Sequence, residues 1–300
     1  MVFNTAHITT TLEELTMAGE QEQPVPIRNA ATVVLVRESV NGPELFMLER
    51  NVKSEFVSGA YVFPGGAVDK HDSHQRLERI CRGLTDTEAS KATNMSSDGL
   101  GFWVAAIREC FEECGVLIAN GNDGPISFEE EALAQRFSDY RDALNARQIS
   151  FSQICIDEGL MLPVDSLTYF SRWLTPVGMP KRFDTCFYLC PMPANQVPLH
   201  DGHETVSGLW VTPEHALEKG EVGEIKLVPA TIKTLEKLSG YQSVDQLVVG
   251  CTPTAPVQTI CPEIIRNDSG KPVSVRLPLP EGEIEMPIGG PLLKSMGPIK

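Results

Sequence analysis

Three glutamates, Glu109, Glu112 and Glu113, recur at helical spacing within one short stretch of the chain. On a helix over residues 102–114, at roughly 100° per residue, all three lie on one arc. The opposite arc is apolar and consists of Ile107, Cys110, Phe111 and Cys114. Like charges three or four residues apart repel each other by about 0.2 to 0.5 kcal/mol per pair. Mg²⁺ or Mn²⁺ would offset this repulsion, because such hard cations take carboxylate oxygens and complete their shells with phosphate oxygens of a substrate.

A solvated acidic face is the alternative, in which Arg108 pairs with Glu112 at i, i+4. Helical periodicity alone does not separate the two interpretations. Cys110 and Cys114 also stand four residues apart, but both lie on the apolar arc, so we interpret them as small core residues and not as a metal pair. Gly115 follows where a left-handed helix cap is expected.

Composition limits the classes of function. The chain has 300 residues, of which 42% are hydrophobic and 22% charged, as in ordinary globular proteins. A formal charge of -15 disfavours nucleic acid as a partner, so an anionic substrate must be received locally by cations. The eight cysteines form no Cys-x-x-Cys pair, which favours reduced thiols. Neither a membrane span nor a secretion signal is recognised, and we expect a soluble, cytoplasmic protein with no membrane partner and with a homodimer as an open alternative.

The elements that must position the glutamates follow from the hydrophobic pattern. Strands are predicted over residues 30–36, 44–49, 60–63, 184–190 and 208–211, and the turn Asn41-Gly42-Pro43 joins the first two as a hairpin or as part of a meander. Further helices are predicted around residues 11–18 and over 128–147, 167–173, 213–219 and 230–238. The helix over 128–147 is a candidate cover for an acyl or pantetheine channel. Frequent prolines after Gly250 predict strands and loops there.

The motif around the glutamates resembles a known family. Residues 108–116, RECFEECGV, match R-E-U-x-E-E-x-G-U, the second half of the Nudix box, with cysteine at the apolar position. Residues 63–69, FPGGAVD, resemble the Gly-Gly-x-x-acid loop that opens the same box, where glycine lets backbone approach a ligand closely. The family pattern G-x5-E-x7-R-E places a glutamate eight residues before the arginine, and this chain has Leu100 there. That glutamate therefore has no counterpart by this spacing.

An interrupted box of this kind is similar to the branch of coenzyme A and acyl-coenzyme A diphosphatases. The segments GAYVFPGG at 59–66, WLTP at 173–176 and RFDT at 182–185 also resemble that branch. The resemblance implies an α/β fold, a Nudix α/β/α sandwich with a mixed sheet, a helical insertion and a C-terminal strand-and-loop extension. We expect a flexible leader at 1–26, the Nudix hydrolase domain at 27–245 with an insertion at 70–100 and a helical segment at 127–172, and a Pro-rich extension at 246–300.

The resemblance also implies roles. Glu109, Glu112 and Glu113 would bind Mg²⁺ or Mn²⁺, with Glu112 as a third or water-mediated ligand. Arg108 would hold the glycine loop or a glutamate in place, and Glu204 is a candidate general base, with an exposed loop acid as the alternative. The predicted substrate-binding residues are Arg50, Phe63, Gly65, Gly66 and Arg182. Lys181 is a further candidate for phosphate contact, and solvation at the surface is the alternative for these cations.

Several functions remain open from the sequence. Hydrolysis of coenzyme A or acyl-coenzyme A to 3′,5′-ADP and the (acyl-)4′-phosphopantetheine is the first hypothesis. Nucleotide sugars, dinucleotides and nucleoside triphosphates are alternative substrates, and a non-catalytic nucleotide sensor is a further alternative that the retained glutamates disfavour. The extension after Cys251 is also a candidate docking segment for a partner protein. His200 and His203 flank Asp201 in a predicted loop, where they would line a substrate entrance and not form a metal site. The final residues do not match a Ser-Lys-Leu address, so no peroxisomal location is expected.

Overall fold

A mixed β-sheet forms the centre of the protein, as seen in a computed structural model that describes residues 25–53, 58–73 and 78–287. The strands are β1 Ile27–Arg37, β2 Glu44–Arg50, β3 Tyr61–Val62, β4 Gly65–Ala67, β5 Cys81–Arg82, β6 Asn120–Gly121, β7 Gly124–Pro125, β8 Leu162–Pro163, β9 Thr168–Leu174, β10 Arg182–Pro191, β11 Thr205–Val211, β12 Thr259–Ile260, β13 Glu263–Arg266, β14 Pro272–Leu279 and β15 Gly282–Pro287. The helices are α1 Asp86–Ala92, α2 Leu100–Cys114, α3 Glu131–Asn145, α4 Phe151–Asp157, α5 Pro213–Glu221, α6 Pro229–Leu238 and α7 Val244–Cys251. The predicted leader and its short helix lie almost wholly outside these residues.

The central sheet has the order β11-β2-β1-β10-β9-β12, with β3 paired to β2 and β4 paired to β1. Strand β1 runs parallel to β10 and antiparallel to β2, so the predicted hairpin and the predicted mixed sheet are both confirmed. The run AATVVLV suits the middle of this sheet because β-branched residues pack well on both faces of a strand that is buried on both sides.

Helices cover both faces of the sheet. On one face, alternate residues of β1, including Val33 and Leu35, pack with α2, α3 and α4. On the other face, Val34 and Val36 pack with α5, α6 and α7. The three-layer α/β/α arrangement predicted from the family resemblance is therefore confirmed.

One predicted helix is wrong. Residues 167–173 form strand β9 and not a helix, and β9 pairs antiparallel with β10. Its side chains alternate between the two faces, with Tyr169 in one core cluster and Phe170 in the other. The segment TYFSRWL is rich in aromatic residues that favour a pleated, buried surface, and pairing with β10 outweighs the helical spacing.

The C-terminal extension is folded onto the core. The predicted boundary at residues 245/246 falls inside α7, whose Leu247 and Cys251 are buried. Strands β13, β14 and β15 then form a separate antiparallel sheet, and Val275 and Leu277 of β14 are buried in the same cluster as α6 and α7. The extension thus contributes to the core of the domain through to residue 287.

The cysteines are all free, and six of the eight are buried. Burial raises the pKa of the Cys155 and Cys190 thiols to about 12, so both stay protonated at neutral pH. The interpretation of Cys110 and Cys114 as core residues is confirmed, since both are fully buried beside Ile107 and Phe111. In the described part of the chain, no helix combines the length and the hydropathy needed to cross a membrane.

Candidate active site

Helix α2 presents its acidic arc to a large cleft. The helix spans Leu100–Cys114 and is followed by Gly115, whose φ of 71° and N–H bond to the Phe111 carbonyl form the expected left-handed cap. The side chains of Glu109 and Glu112 are 13% and 21% exposed and line the cleft. Glu113 lies deeper, and its Oε2 accepts a hydrogen bond of 2.9 Å from the Gly65 N–H. Two of the acids therefore face the cleft, and the third anchors the glycine loop.

The two glycines of strand β4 lie where no side chain fits. A Cβ on Gly65 would lie 2.4 Å from the Ala31 carbonyl oxygen, and a Cβ on Gly66 would lie 2.6 Å from the Glu109 carboxylate. Strand β4 pairs with β1 opposite Ala31 and Thr32, which sets it against the acidic helix. Glycine is required here because backbone and carboxylate approach each other so closely.

Arg108 connects the acids to the glycine loop. Its Nη1 donates to Glu109 Oε1 at 2.8 Å and to Glu112 Oε2 at 3.1 Å. Its Nη2 donates to the Ala67 carbonyl at 2.8 Å, directly after the two glycines. Arg108 does form the i, i+4 pair with Glu112 that the alternative of a solvated acidic face predicts. However, Arg108 is largely buried and binds four groups, so this face is not simply solvated. Its contacts are those of a brace that fixes two carboxylates relative to the loop.

Asp72 is a further partner of Arg108, and the sequence did not identify it as a site residue. Arg108 Nε and Nη2 donate to the two Asp72 carboxylate oxygens at 2.9 and 2.8 Å, and Asp72 is 3% exposed. When the family pattern G-x5-E-x7-R-E is aligned on Arg108, its first acid falls on Leu100. When the pattern is aligned on Gly66, five residues intervene and the acid falls on Asp72. The insertion therefore follows this acid, and the forward spacing was the signal that would have identified it.

The pKa values of the acids are raised because these carboxylates are desolvated and crowded. Burial raises the pKa of Glu109 to about 7, against the lowering effect of the Arg108 guanidinium. Burial raises the pKa of Glu112, again against Arg108, and the pKa of Glu113 is raised well above its usual range by burial and by the charge of Glu109. The Arg108 guanidinium thus pairs with three carboxylates, those of Asp72, Glu109 and Glu112, while the charge of Arg50 lowers the pKa of Glu113, so this cluster of acids has more negative than positive charge.

This donor set fits a divalent cation. Among the described residues, no three His, Cys, Asp or Glu side chains are arranged as a metal cage. Mg²⁺ does not need such a cage, since it is bound through one or two carboxylates together with water and substrate phosphate oxygens. The carboxylates of Glu109 and Glu112 share a single Arg108 Nη1 and lie at the cleft surface, and they have the chemistry that this cation requires.

Glu204 reaches the same cluster from a distant loop. The loop before β11 is tied to the end of β2, since the Asn51 N–H donates to the Glu204 carbonyl at 2.9 Å and Asn51 Nδ2 donates to the His203 carbonyl at 3.0 Å. Burial is the largest cause of the raised pKa of Glu112 and of Glu113. The negative charge of Glu204 also raises both of these pKa values. The fold therefore brings this carboxylate within electrostatic range of the acidic helix.

The cleft has a volume of about 1910 Å³. Most predicted site residues line it, namely Arg50, Phe63, Gly65, Gly66, Arg108, Glu109, Glu112 and Glu204. Arg182 is not among the lining residues, and its Nε donates to the Thr175 carbonyl at 3.0 Å. His203 lines the cleft, whereas His200 lines a separate cavity of about 340 Å³. The two histidines are thus separated, and only His203 lies at the candidate site.

Comparisons with known proteins agree with this architecture. The family profile described as the NUDT19 Nudix domain matches residues 78–238. The chain is 30% identical to a chicken (Gallus gallus) protein named acyl-coenzyme A diphosphatase NUDT19, over 73% of this chain and 70% of that protein. It is 28% identical to the human (Homo sapiens) protein of the same name, over 70% of this chain and 64% of that protein. A solved structure of a Nudix hydrolase from Alicyclobacillus acidocaldarius superposes with a TM-score of 0.59 at 26% identity, over 75% of this chain and 96% of that one.

The match of the family profile covers more than half of the chain, and it includes the acidic helix α2, which carries the second half of the Nudix box. The chain therefore belongs to the Nudix hydrolases, in the branch described by the NUDT19 Nudix domain.

Proposed function

We propose that this protein hydrolyses the diphosphate linkage of coenzyme A or an acyl-coenzyme A, giving 3′,5′-ADP and the (acyl-)4′-phosphopantetheine. The observation that carries the proposal is the convergence of Glu109, Glu112 and Glu204 beside the glycine loop, at the surface of one large cleft. The names of the related chicken and human proteins support the choice of substrate.

The charge of the cleft supports a polyanionic substrate. The whole chain has 25 basic residues against 40 acidic ones. Among the described residues that line the cleft, basic side chains outnumber acidic ones. The basic ones are Arg28, Arg50, Lys53, Lys70, Arg108, Arg147 and Lys181, and the acidic ones are Asp69, Asp72, Glu109, Glu112 and Glu204. A cofactor with a diphosphate and a separate phosphate suits such a locally basic cleft in an acidic protein.

In the mechanism, Glu109, Glu112 and Glu113 would hold Mg²⁺ or Mn²⁺. When bound, such cations neutralise charge on the diphosphate oxygens and lower the pKa of a water molecule. Arg108 keeps Glu109 and Glu112 in position, and Glu113 also fixes the glycine loop through the Gly65 N–H.

Two further side chains complete the proposed reaction. Glu204 accepts a proton from the attacking water, and in-line attack on one phosphorus releases two monophosphates. The Nε of Arg50 is buried and has no hydrogen-bond partner among the described residues, so it is available to a phosphate oxygen. Arginine suits this role because its planar fork of donors matches phosphate geometry. Arg182 remains a prediction from the resemblance, as does contact of Phe63 with the substrate.

The experiment is an assay of the purified protein, with Mg²⁺ or Mn²⁺, against coenzyme A, acyl-coenzyme A, a nucleotide sugar, a dinucleotide and a nucleoside triphosphate. We expect 3′,5′-ADP as a product identified by mass, no turnover in chelator, and loss of turnover in Glu109→Gln and Glu112→Gln. Glu218→Gln is the matched control, because Glu218 is exposed on α5 and does not line the cleft. Faster hydrolysis of a nucleotide sugar than of every coenzyme A compound would overturn the substrate assignment.

The proposal also includes a cytoplasmic location, which the eight free cysteines support because reduced thiols are usual in that compartment. Fractionation of cells with an antibody against the protein tests it, and recovery in a membrane or organelle fraction would contradict it.

A further inference from the structure

One part of the cleft is lined by apolar side chains and lies away from the acidic helix. We call it the apolar arm, and it consists of Trp173, Phe183, Phe187, Ala230, Pro262 and Val275. These residues come from β9, β10, the first turn of α6 and the C-terminal extension. None of them is charged, whereas the cleft beside the glycine loop contains Arg50, Lys53, Glu109 and Glu204.

The arm lies on the opposite face of the sheet from α2. Trp173, Phe187 and Val275 belong to the core cluster that packs under α6 and α7, and α2 belongs to the other cluster. The single cleft therefore passes from the carboxylates, along the glycine loop, to the apolar face of the sheet. A ligand held by its diphosphate at the acids reaches the arm only with a long extension.

The register of the strands gives the length of that extension. Ala67 pairs with Ala30, Ala30 with Thr185, and Thr185 with Trp173. Three strand spacings thus separate the end of the glycine loop from Trp173, which is about 14 Å at 4.7 to 4.9 Å per spacing. A nucleoside base, which only one sugar separates from the diphosphate, is a poor occupant of the arm. Its polar edges would find no charged or amide partners there.

We propose that the apolar arm receives the acyl chain of the substrate, and that the C-terminal sheet sets the length of chain that fits. This inference rests on the proposed coenzyme A chemistry and adds the site that distinguishes acylated from free substrate. The arm is bounded by Val275, which is 1% exposed in β14, and by Pro262, just before β13. The extension that the sequence suggested as a docking tail thus forms the wall of a specificity pocket.

The volume of the cleft agrees with this assignment. Pockets for small ligands typically measure about 300 to 1,000 Å³. At about 1910 Å³, this cleft has room for a nucleotide part and for a second, apolar part of the same ligand.

The test is Ala230→Trp, which adds bulk within the arm at a half-buried position in the first turn of α6. Steady-state kinetics are measured with coenzyme A, acetyl-coenzyme A and acyl-coenzyme A compounds of increasing chain length. We expect kcat/KM to fall at least about tenfold for long chains, mainly through KM, which corresponds to excluding about two methylene groups from the arm. For coenzyme A and the acetyl compound we expect a change of less than about twofold.

The matched control is Ala194→Trp, at an exposed position outside the cleft, which is expected to leave every substrate unchanged. Val275→Ala is the second variant and widens the arm, so the optimum is expected to move to longer chains. Turnover of coenzyme A itself reports whether each variant is folded. The inference would be overturned, and the proposed function would stand, if kcat/KM changed equally for all chain lengths in both Ala230→Trp and Val275→Ala, or changed in neither variant. Absence of 3′,5′-ADP from every compound with the wild-type protein would instead overturn the proposed function, and the inference with it.

Discussion

The pair formed by Asp72 and Arg108 gives the sharpest test of how this site is held. Asp72 accepts hydrogen bonds of 2.9 and 2.8 Å from Arg108 and one of 2.7 Å from the Asp69 N–H. Asp72→Asn keeps the shape but turns one acceptor into an amide donor that faces a guanidinium N–H. Breaking a buried pair costs about 3 to 5 kcal/mol. Because Arg108 keeps its bonds to Ala67, Glu109 and Glu112, we expect the lower end, about 3 kcal/mol.

Thermal unfolding followed by circular dichroism measures this loss. At roughly 2 to 4 °C per kcal/mol, Tm should fall by roughly 6 to 12 °C. Activity of the folded variant should fall roughly 10- to 100-fold, because an arginine with a weaker anchor orients Glu109 and Glu112 less well.

The matched control is Glu44→Gln in the pair between Arg37 and Glu44. This pair has similar distances, 2.8 and 2.9 Å, but its side chains are 46% and 20% exposed. An exposed pair contributes about 0 to 1 kcal/mol, so Tm should change by less than roughly 4 °C. If Asp72→Asn melts at the same temperature as Glu44→Gln and keeps full activity, Arg108 does not depend on Asp72 and the reasoning is refuted.

Three further predictions concern the acids and the glycine loop. Gly66→Ala places a methyl group 2.6 Å from the Glu109 carboxylate, so kcat should fall at least about tenfold, and the overpacking should cost about 1 to 3 kcal/mol of stability. Gly121→Ala, which meets only an isoleucine methyl at 3.2 Å, should stay active. Burial raises the pKa of Glu109 from 4.5 to about 7, so in chelator this carboxyl costs stability increasingly as pH rises through that window. Glu109→Gln should therefore gain in Tm relative to wild type between pH 4.5 and 7, and a constant difference would argue against this burial. Glu204→Gln should lower kcat by roughly 10²- to 10⁴-fold with Tm unchanged. The control Glu221→Gln, at the exposed end of α5, should have no effect on kcat. Equal kcat values for the two variants would remove Glu204 from the mechanism.

Local features of this protein follow from its sequence because their cause is local. The apolar arc of Ile107, Cys110, Phe111 and Cys114 identifies the face of α2 that is buried, and the same periodicity places Glu109 and Glu112 on the opposite arc. Gly115 is the residue type that a left-handed cap needs, and the β-branched run in β1 identifies a buried strand.

Other features depend on contacts between distant parts of the chain. Asp72 and Arg108 are 36 positions apart, and an insertion between them hides the box spacing when it is counted back from the arginine. Glu204 reaches the acids only because its loop is tied to Asn51 at the end of β2. No local periodicity encodes such distances, so the sequence identified Glu204 as a candidate without placing it.

The segment 167–173 illustrates the same division in the fold. Its helical spacing is a property of the sequence, but it forms β9 because β10 lies beside it and both faces of the strand are buried. By itself, the sequence determined the acidic helix, its cap, the glycine loop and the family, because periodicity and residue type act over a few positions. Only the tertiary structure decided the partner of Arg108, the approach of Glu204 and the apolar wall of the C-terminal sheet, because these depend on strand register and packing between segments far apart in the chain.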